Sequence, residues 1–155
     1  MYNVRRIVNA AIPLSSTGSA DKFGVCEVIP WFWLTYWLVA EWRTTYERKT
    51  KDNKFYFFEE KATWYEHETK CQEKGLRVAE IQSDDDLNSL NELLDDFPFA
   101  WIGASDRFTE GTWKWQHSNT PVVNFWRSGE PNNSGGEDCG ELNRGTMIDY
   151  KCDRR

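Results

Sequence analysis

The chain has little histidine, no excess of positive charge and no apolar run long enough to cross a membrane. Among its 155 residues there are two histidines, and the net charge is −6. Proteins that grip nucleic acid concentrate basic residues into patches, so this balance argues against a nucleic-acid partner. No glycine-rich loop ends in Lys-Ser or Lys-Thr, so nothing marks a phosphate cradle. The most apolar stretch, Val28 to Ala40 between Glu27 and Glu41, falls short of the ~20 apolar residues of a spanning helix. Cysteine is sparse too. Cys26, Cys71, Cys139 and Cys152 form no Cys-x-x-Cys pair, which argues against a zinc site, and an even number is by itself weak evidence of a disulfide framework. His67 lies in a helical stretch and His117 in a turn, and no serine or cysteine stands in a nucleophile setting. The chain therefore reads as a binding protein and not an enzyme. Paired carboxylates can act on a glycosidic bond, but here they crowd one loop at the spacing of cation ligands.

The length suits one domain. Residues 1–51 form an N-terminal segment of unclear role, with Arg5 and Arg6 and the small polar stretch Ser15 to Ser19. The run Val28 to Ala40 leaves three readings open: a secretion signal or anchor, an interfacial or buried aromatic segment, and a mis-assigned reading frame or exon. Any membrane association would have to come from it. Arg43 to Asn53 reads as a linker, and a domain follows over 52–155.

Within that domain, Phe55-Tyr56-Phe57-Phe58 suits a buried strand. Glu59 to Lys74 is rich in helix formers, with Ala62, Trp64, Tyr65 and Cys71 as its buried face and Gly75 as a left-handed cap. Leu76 to Ile81 reads as a short extended piece. Ser83 opens a second helix: its hydroxyl can cap the amide three residues on, and Asp84, Asp85 and Asp86 suit the positive end of the helix dipole. Leu87, Leu90 and Leu94 mark its inward face. Short aromatic strands over Phe99 to Gly103 and Thr112 to Trp115 complete an α+β pattern without internal repeats.

Gly129 to Cys152 holds the densest chemistry. Glu130, Asn132, Asn133, Glu137, Asp138 and Asp149 place side-chain oxygens in a loop bounded by Pro131 and two cysteines. Calcium takes six to eight oxygen ligands, and such a loop supplies most of them; a solvated acidic turn has the same composition. Upstream stand Trp101-Ile102-Gly103-Ala104 and Glu110-Gly111-Thr112-Trp113-Lys114-Trp115, in front of Glu130-Pro131-Asn132, Cys139 and Cys152. In this order the motifs resemble a C-type lectin domain of the Glu-Pro-Asn subtype, over about Lys54 to Cys152.

The resemblance implies two helices with short antiparallel sheets, a long calcium-binding loop and a cis bond before Pro131. It implies Ca2+ held by Glu130, Asn132, Glu137 and Asp149, which also contact sugar hydroxyls of mannose, fucose or N-acetylglucosamine. An accessory cation position matches Asp106, Glu110, Asn133 and Asp138, with help from Glu137. The implied disulfide is Cys139–Cys152. The implied partners are glycans or glycoproteins, and the implied location is secreted or extracellular. Two departures stand out. Ile148 lies where the family carries an oxygen-bearing Asn, which removes a calcium ligand and a sugar donor together. The family also continues beyond the position of Cys152, with a last strand and a last cysteine that bridges to the position of Cys71. On that pattern the chain reads as C-terminally truncated, Phe55 to Phe58 is left with an open edge, and Cys71 is reactive unless Cys26 takes the missing role. The chain alone is then expected to be poorly soluble. Asn132-Asn133-Ser134 is also an N-glycosylation pattern, whose use would cost the Asn132 ligand. A calcium-independent protein-binding domain is the alternative that Ile148 favours.

Overall fold

The computed structural model describes residues 23–28, 48–52, 54–95, 97 and 99–155. Among the described residues eight strands pair into one sheet: β1 (Phe23–Val28), β2 (Arg48–Lys49), β3 (Phe55–Phe58), β4 (Leu76–Val78), β5 (Phe99–Ser105), β6 (Lys114–Trp115), β7 (Cys139–Asn143) and β8 (Thr146–Tyr150). Two helices, α1 (Trp64–Glu73) and α2 (Asp84–Leu93), give the expected α+β class. The main order is β2-β3-β1-β5-β7-β8, with β4 added to β1 and β6 to β5. Among the described residues no helix is long and apolar enough to cross a membrane. Apart from Val28, the apolar run lies outside the described residues.

Both helices start where a side chain satisfies the free amides of the first turn. At α1 the Thr63 hydroxyl accepts from Glu66 N while the Glu66 carboxylate accepts from Thr63 N, a reciprocal capping box. This sets the start of α1 at Trp64, later than the expected Glu59. Just before it, the Ala62 carbonyl accepts from Trp101 Nε1 at 2.9 Å. Trp64 then takes the fully buried place while Tyr65, the next residue round the helix, is 46% exposed, which corrects its assignment to the inward face. Gly75 adopts the left-handed conformation expected of it. At α2 the Ser83 hydroxyl accepts from Asp86 N at 3.1 Å, and Leu90 and Leu94 are buried with Leu87 packed against the same core.

The largest departure from the sequence reading is β1. It pairs antiparallel with β3 along one side; along the other, Phe23 and Gly24 run parallel to β5 while Cys26 to Val28 pair with β4. With β2 on its far side, β3 has partners on both edges, so the expected open edge at Phe55 to Phe58 does not exist. Arg48 and Lys49, read as linker, form that outer strand. Cys71, expected to lack a partner and to react with thiol reagents, is bonded to Cys26, and both are fully buried. Physically, β1 supplies from the N-terminal side a partner strand for β3 and a cysteine for Cys71. Its Glu27 is buried against Arg77; burial pushes its pKa up to about 7 while the guanidinium opposes the shift.

Gly24 shows how closely α1 sits on β1. A Cβ built there would lie 2.0 Å from Cε1 and Nδ1 of the buried His67 ring. Neither wall yields cheaply, since His67 is packed against the disulfide. Gly24→Ala is expected to destabilise the fold by about 3 kcal/mol or slightly more, the upper range for overpacking. Urea denaturation checks it, and an unchanged midpoint would show that α1 is not seated on β1.

Candidate functional site

The β7–β8 hairpin carries the site. Its two-residue turn, Arg144-Gly145, has positive φ at both positions, the conformation that matches the twist of paired strands and that glycine adopts without strain. Arg144 holds that conformation as a non-glycine residue. The hairpin sets Asp149 opposite Gly140, and the Cys139–Cys152 disulfide closes its open end. Cys152 O accepts from Trp64 N at 2.9 Å, and Trp64, Trp101 and the two cysteines form one buried cluster. The site is thus anchored to α1 as well as to the sheet.

The long loop before the hairpin is held by a residue that the sequence reading did not single out. Arg127 donates to the Asn143 carbonyl at 2.8 Å, to Asn143 Oδ1 at 2.7 Å and to Thr146 Oγ1 at 3.1 Å. Its main chain bonds Met147 O, and Glu130 N bonds Arg127 O. A single arginine between Phe125-Trp126 and the turn at Ser128-Gly129 gives no sequence signal for such a role. Trp126 stacks edge-on against Trp113 and so fastens the same loop to the core.

Beyond Arg127 the Glu130–Pro131 bond is cis, as the resemblance implies. Asn132 Nδ2 donates to Glu130 Oε2 at 2.6 Å, so the two side chains meet. Asn133 N donates to Asp149 Oδ2 at 2.6 Å, which brings the hairpin carboxylate under the loop. Glu137 accepts from Ser134 N at 3.1 Å, and its own amide donates to Asn133 Oδ1 at 2.8 Å. The structure therefore gathers Glu130, Asn132, Glu137 and Asp149 about one loop. Asp106, Glu110, Asn133 and Asp138 also come together. Asn133 Nδ2 donates to Glu110 Oε1 at 2.7 Å, Asp106 N to Asp138 O at 3.3 Å, and Gly111 N to Asp106 Oδ2 at 2.9 Å.

These carboxylates repel one another. Glu130 is pushed up to about 7, first by desolvation and then by its contact with the Asp149 carboxylate. Asp106 is raised by burial and by the charges of Asp138 and Asp149. Glu110, exposed at its rim, is raised by partial desolvation and by Asp106, Asp138 and Asp149. Asp106 and Asp149 are buried, at 4% and 2% exposure, and Oδ1 of each has no hydrogen-bond partner among the described residues. An unpaired buried carboxylate oxygen is costly. Mutual repulsion, an all-oxygen donor set and two such oxygens fit a hard cation at each position.

Ile148 is buried in β8 opposite Glu141 and so serves the packing of the hairpin. Asn132, Asn133 and Ser134 are all exposed.

Similarity to known proteins accords with this geometry. Residues 60–155 match the family described as the lectin C-type domain. The C-type lectin domain family 4 member M of Symphalangus syndactylus is 35% identical over 104 residues, 64% of this chain and 25% of that protein. The CD209 antigen of Nomascus concolor is 31% identical over 132 residues, 83% of this chain and 29% of that protein. The chain thus spans about a quarter of the length of these relatives. A solved structure of the human scavenger receptor C-type lectin carbohydrate-recognition domain superposes with a TM-score of 0.60 at 28% identity, covering 63% of this chain and 80% of that one. The family is one of non-enzymatic binding domains. By its matched residues and its fold, the chain belongs to the C-type lectin domain family.

Proposed function

We propose that the chain binds glycans or glycoproteins in a calcium-dependent manner, through Glu130, Asn132, Glu137 and Asp149, with preference for mannose, fucose or N-acetylglucosamine. The observation that carries this reading is the pair of buried carboxylate oxygens without partners among the described residues, Oδ1 of Asp106 and of Asp149. Each stands in one of two adjoining all-oxygen clusters. Glu130, Asn132, Glu137 and Asp149 would hold the principal ion; Asp106, Glu110, Asn133 and Asp138 would hold the accessory one and stiffen the loop. The chemistry such an ion supplies is direct coordination of neighbouring sugar hydroxyls. The chain's own part is orientation: Arg127 and the hairpin fix the loop, and the Glu130 and Asn132 side chains accept from and donate to the same hydroxyls. Likeness to the carbohydrate-recognition domain of the human scavenger receptor C-type lectin supports the ligand class. Extracellular sites of this kind work at about 10⁻⁴–10⁻³ M calcium, and two disulfides suit that compartment.

Retention on a mannose resin in calcium, with release by a chelator, tests the reading. Equal retention with and without chelator would overturn it in favour of calcium-independent protein binding, which the apolar, buried Ile148 favours. Ile148→Asn restores an oxygen and a donor beside Asp149. A hydrogen bond to a charged group is worth roughly 1.5–3 kcal/mol, so calcium and mannose affinity are expected to rise about ten-fold or more. Calorimetry of the variant measures this, and an unchanged affinity would mean that position 148 does not face the ion.

A further inference from the structure

The two sulfurs of the Cys26–Cys71 bridge do not stand alone. His67 lies four residues before Cys71 on α1, hence on the same face, and its ring is completely buried. Its Nε2 is 3.5 Å from Cys71 Sγ and 3.9 Å from Cys26 Sγ. One ligand atom from each of the three residues lies within 4.8 Å of the others. Zinc binds thiolate sulfur at about 2.3 Å and imidazole nitrogen at about 2.0–2.1 Å, so neighbouring ligands in a tetrahedral site are roughly 3.5–3.8 Å apart. The two nitrogen-to-sulfur separations are already close to that range. Only the sulfur-to-sulfur separation must open.

We propose that Cys26, His67 and Cys71 form a redox-gated metal site: a disulfide in the oxidised chain, and in the reduced chain a two-thiolate, one-imidazole centre for a thiolate-preferring ion such as Zn2+. An external dithiol opens the bridge, giving two cysteine thiols and the oxidised, cyclic form of the reductant. Uptake of the ion then releases the two thiol protons to solvent. The Val25 carbonyl, 3.2 Å from Nε2, can only accept, so Nε2 carries the hydrogen in the oxidised chain. That hydrogen moves to Nδ1 when Nε2 ligates, and the Val25 oxygen is within reach as a fourth ligand. Burial holds the imidazole neutral, down to about 4, so no proton has to be displaced from an imidazolium at neutral pH. Soft thiolates select zinc over calcium, which keeps this centre chemically separate from the carboxylate loop. In either state one cross-link joins α1 to β1.

The whole chain is reduced anaerobically with a phosphine, desalted and titrated with Co2+, then with Zn2+ in competition. One equivalent is expected to give thiolate-to-cobalt charge transfer and the intense ligand-field bands of a tetrahedral centre, absent from the oxidised chain. His67→Ala should weaken cobalt binding at least about ten- to a hundred-fold, the loss seen even for outer partners of metal ligands. The Cys26→Ser/Cys71→Ser double variant, which keeps Cys139 and Cys152, should lose the bands. If reduction unfolds the chain, Zn2+ should restore the cooperative thermal transition. Absence of charge transfer in a folded reduced chain, bands that survive either variant unchanged, or a reduced chain that stays unfolded at saturating zinc would each overturn the proposal.

Discussion

Asp149→Asn is expected to lower calcium affinity by at least about a hundred-fold and to abolish chelator-sensitive retention on mannose. Asp149 is buried, bonds Asn133 N through Oδ2 and leaves Oδ1 without a partner. Asparagine keeps the shape and the acceptor for Asn133 N but removes the charge. Removing one member of a buried charge pair typically costs about 3–5 kcal/mol, which sets the expected loss. Without calcium the variant should be no less stable than the parent, because the contact between the Glu130 and Asp149 carboxylates is relieved. That separates loss of a ligand from loss of the fold. The same contact gives a pH signature. As a proposed calcium ligand Glu130 has to be ionised, and in the free chain its pKa is pushed up to about 7, so protons would compete for it below that value. Affinity in the parent should therefore fall between pH 8 and pH 6, by at most about ten-fold per unit below 7. In Asp149→Asn the dependence should shift to lower pH. Calorimetry at the two pH values measures both effects, and a parent affinity independent of pH would place Glu130 outside the ion's ligands.

Replacing both Cys26 and Cys71 by alanine is expected to remove about 4 kcal/mol of stability. The bridge spans 45 residues, and the chain-entropy relation assigns that magnitude to a loop of this length. A domain of this size is held by only about 5–15 kcal/mol, so the loss takes a large share of the margin. It should also fall on β1 in particular, because the bridge ties that strand to α1 while Glu27 and its Arg77 partner hold the other end. Denaturant titration of the oxidised parent against the double variant reads the difference. Peptide mapping of the parent should recover Cys26 and Cys71 in one cross-linked fragment. Labelling of Cys71 in the folded, unreduced parent would contradict the bridge.

What was legible in the sequence is what short-range chemistry decides. Ser83 and the aspartates after it announce α2, because a capping hydroxyl and the amide it satisfies are three residues apart. Glu130, Pro131 and Asn132 announce a loop dense in oxygens for the same reason, and Gly75 ends α1 because only the local backbone has to turn. The start of α1 lies later than helix propensity implies, although its signal is local too: Thr63 and Glu66 form a capping box that outweighs the helix propensity of Glu59 to Ala62.

Tertiary structure alone decided the partners that lie far along the chain. Nothing near Phe23 to Val28 says that this segment pairs with β3, β4 and β5, since strand partners are chosen by burial and register across the whole sheet. The Cys26–Cys71 bridge follows from that placement, as does the seat of His67 beside its sulfurs. The same holds within the loop. Asp106, Glu110 and Asp149 meet Asn133 and Asp138 only because β5, β7 and β8 are adjacent, and the repulsion among these carboxylates arises once the sheet has brought their charges together.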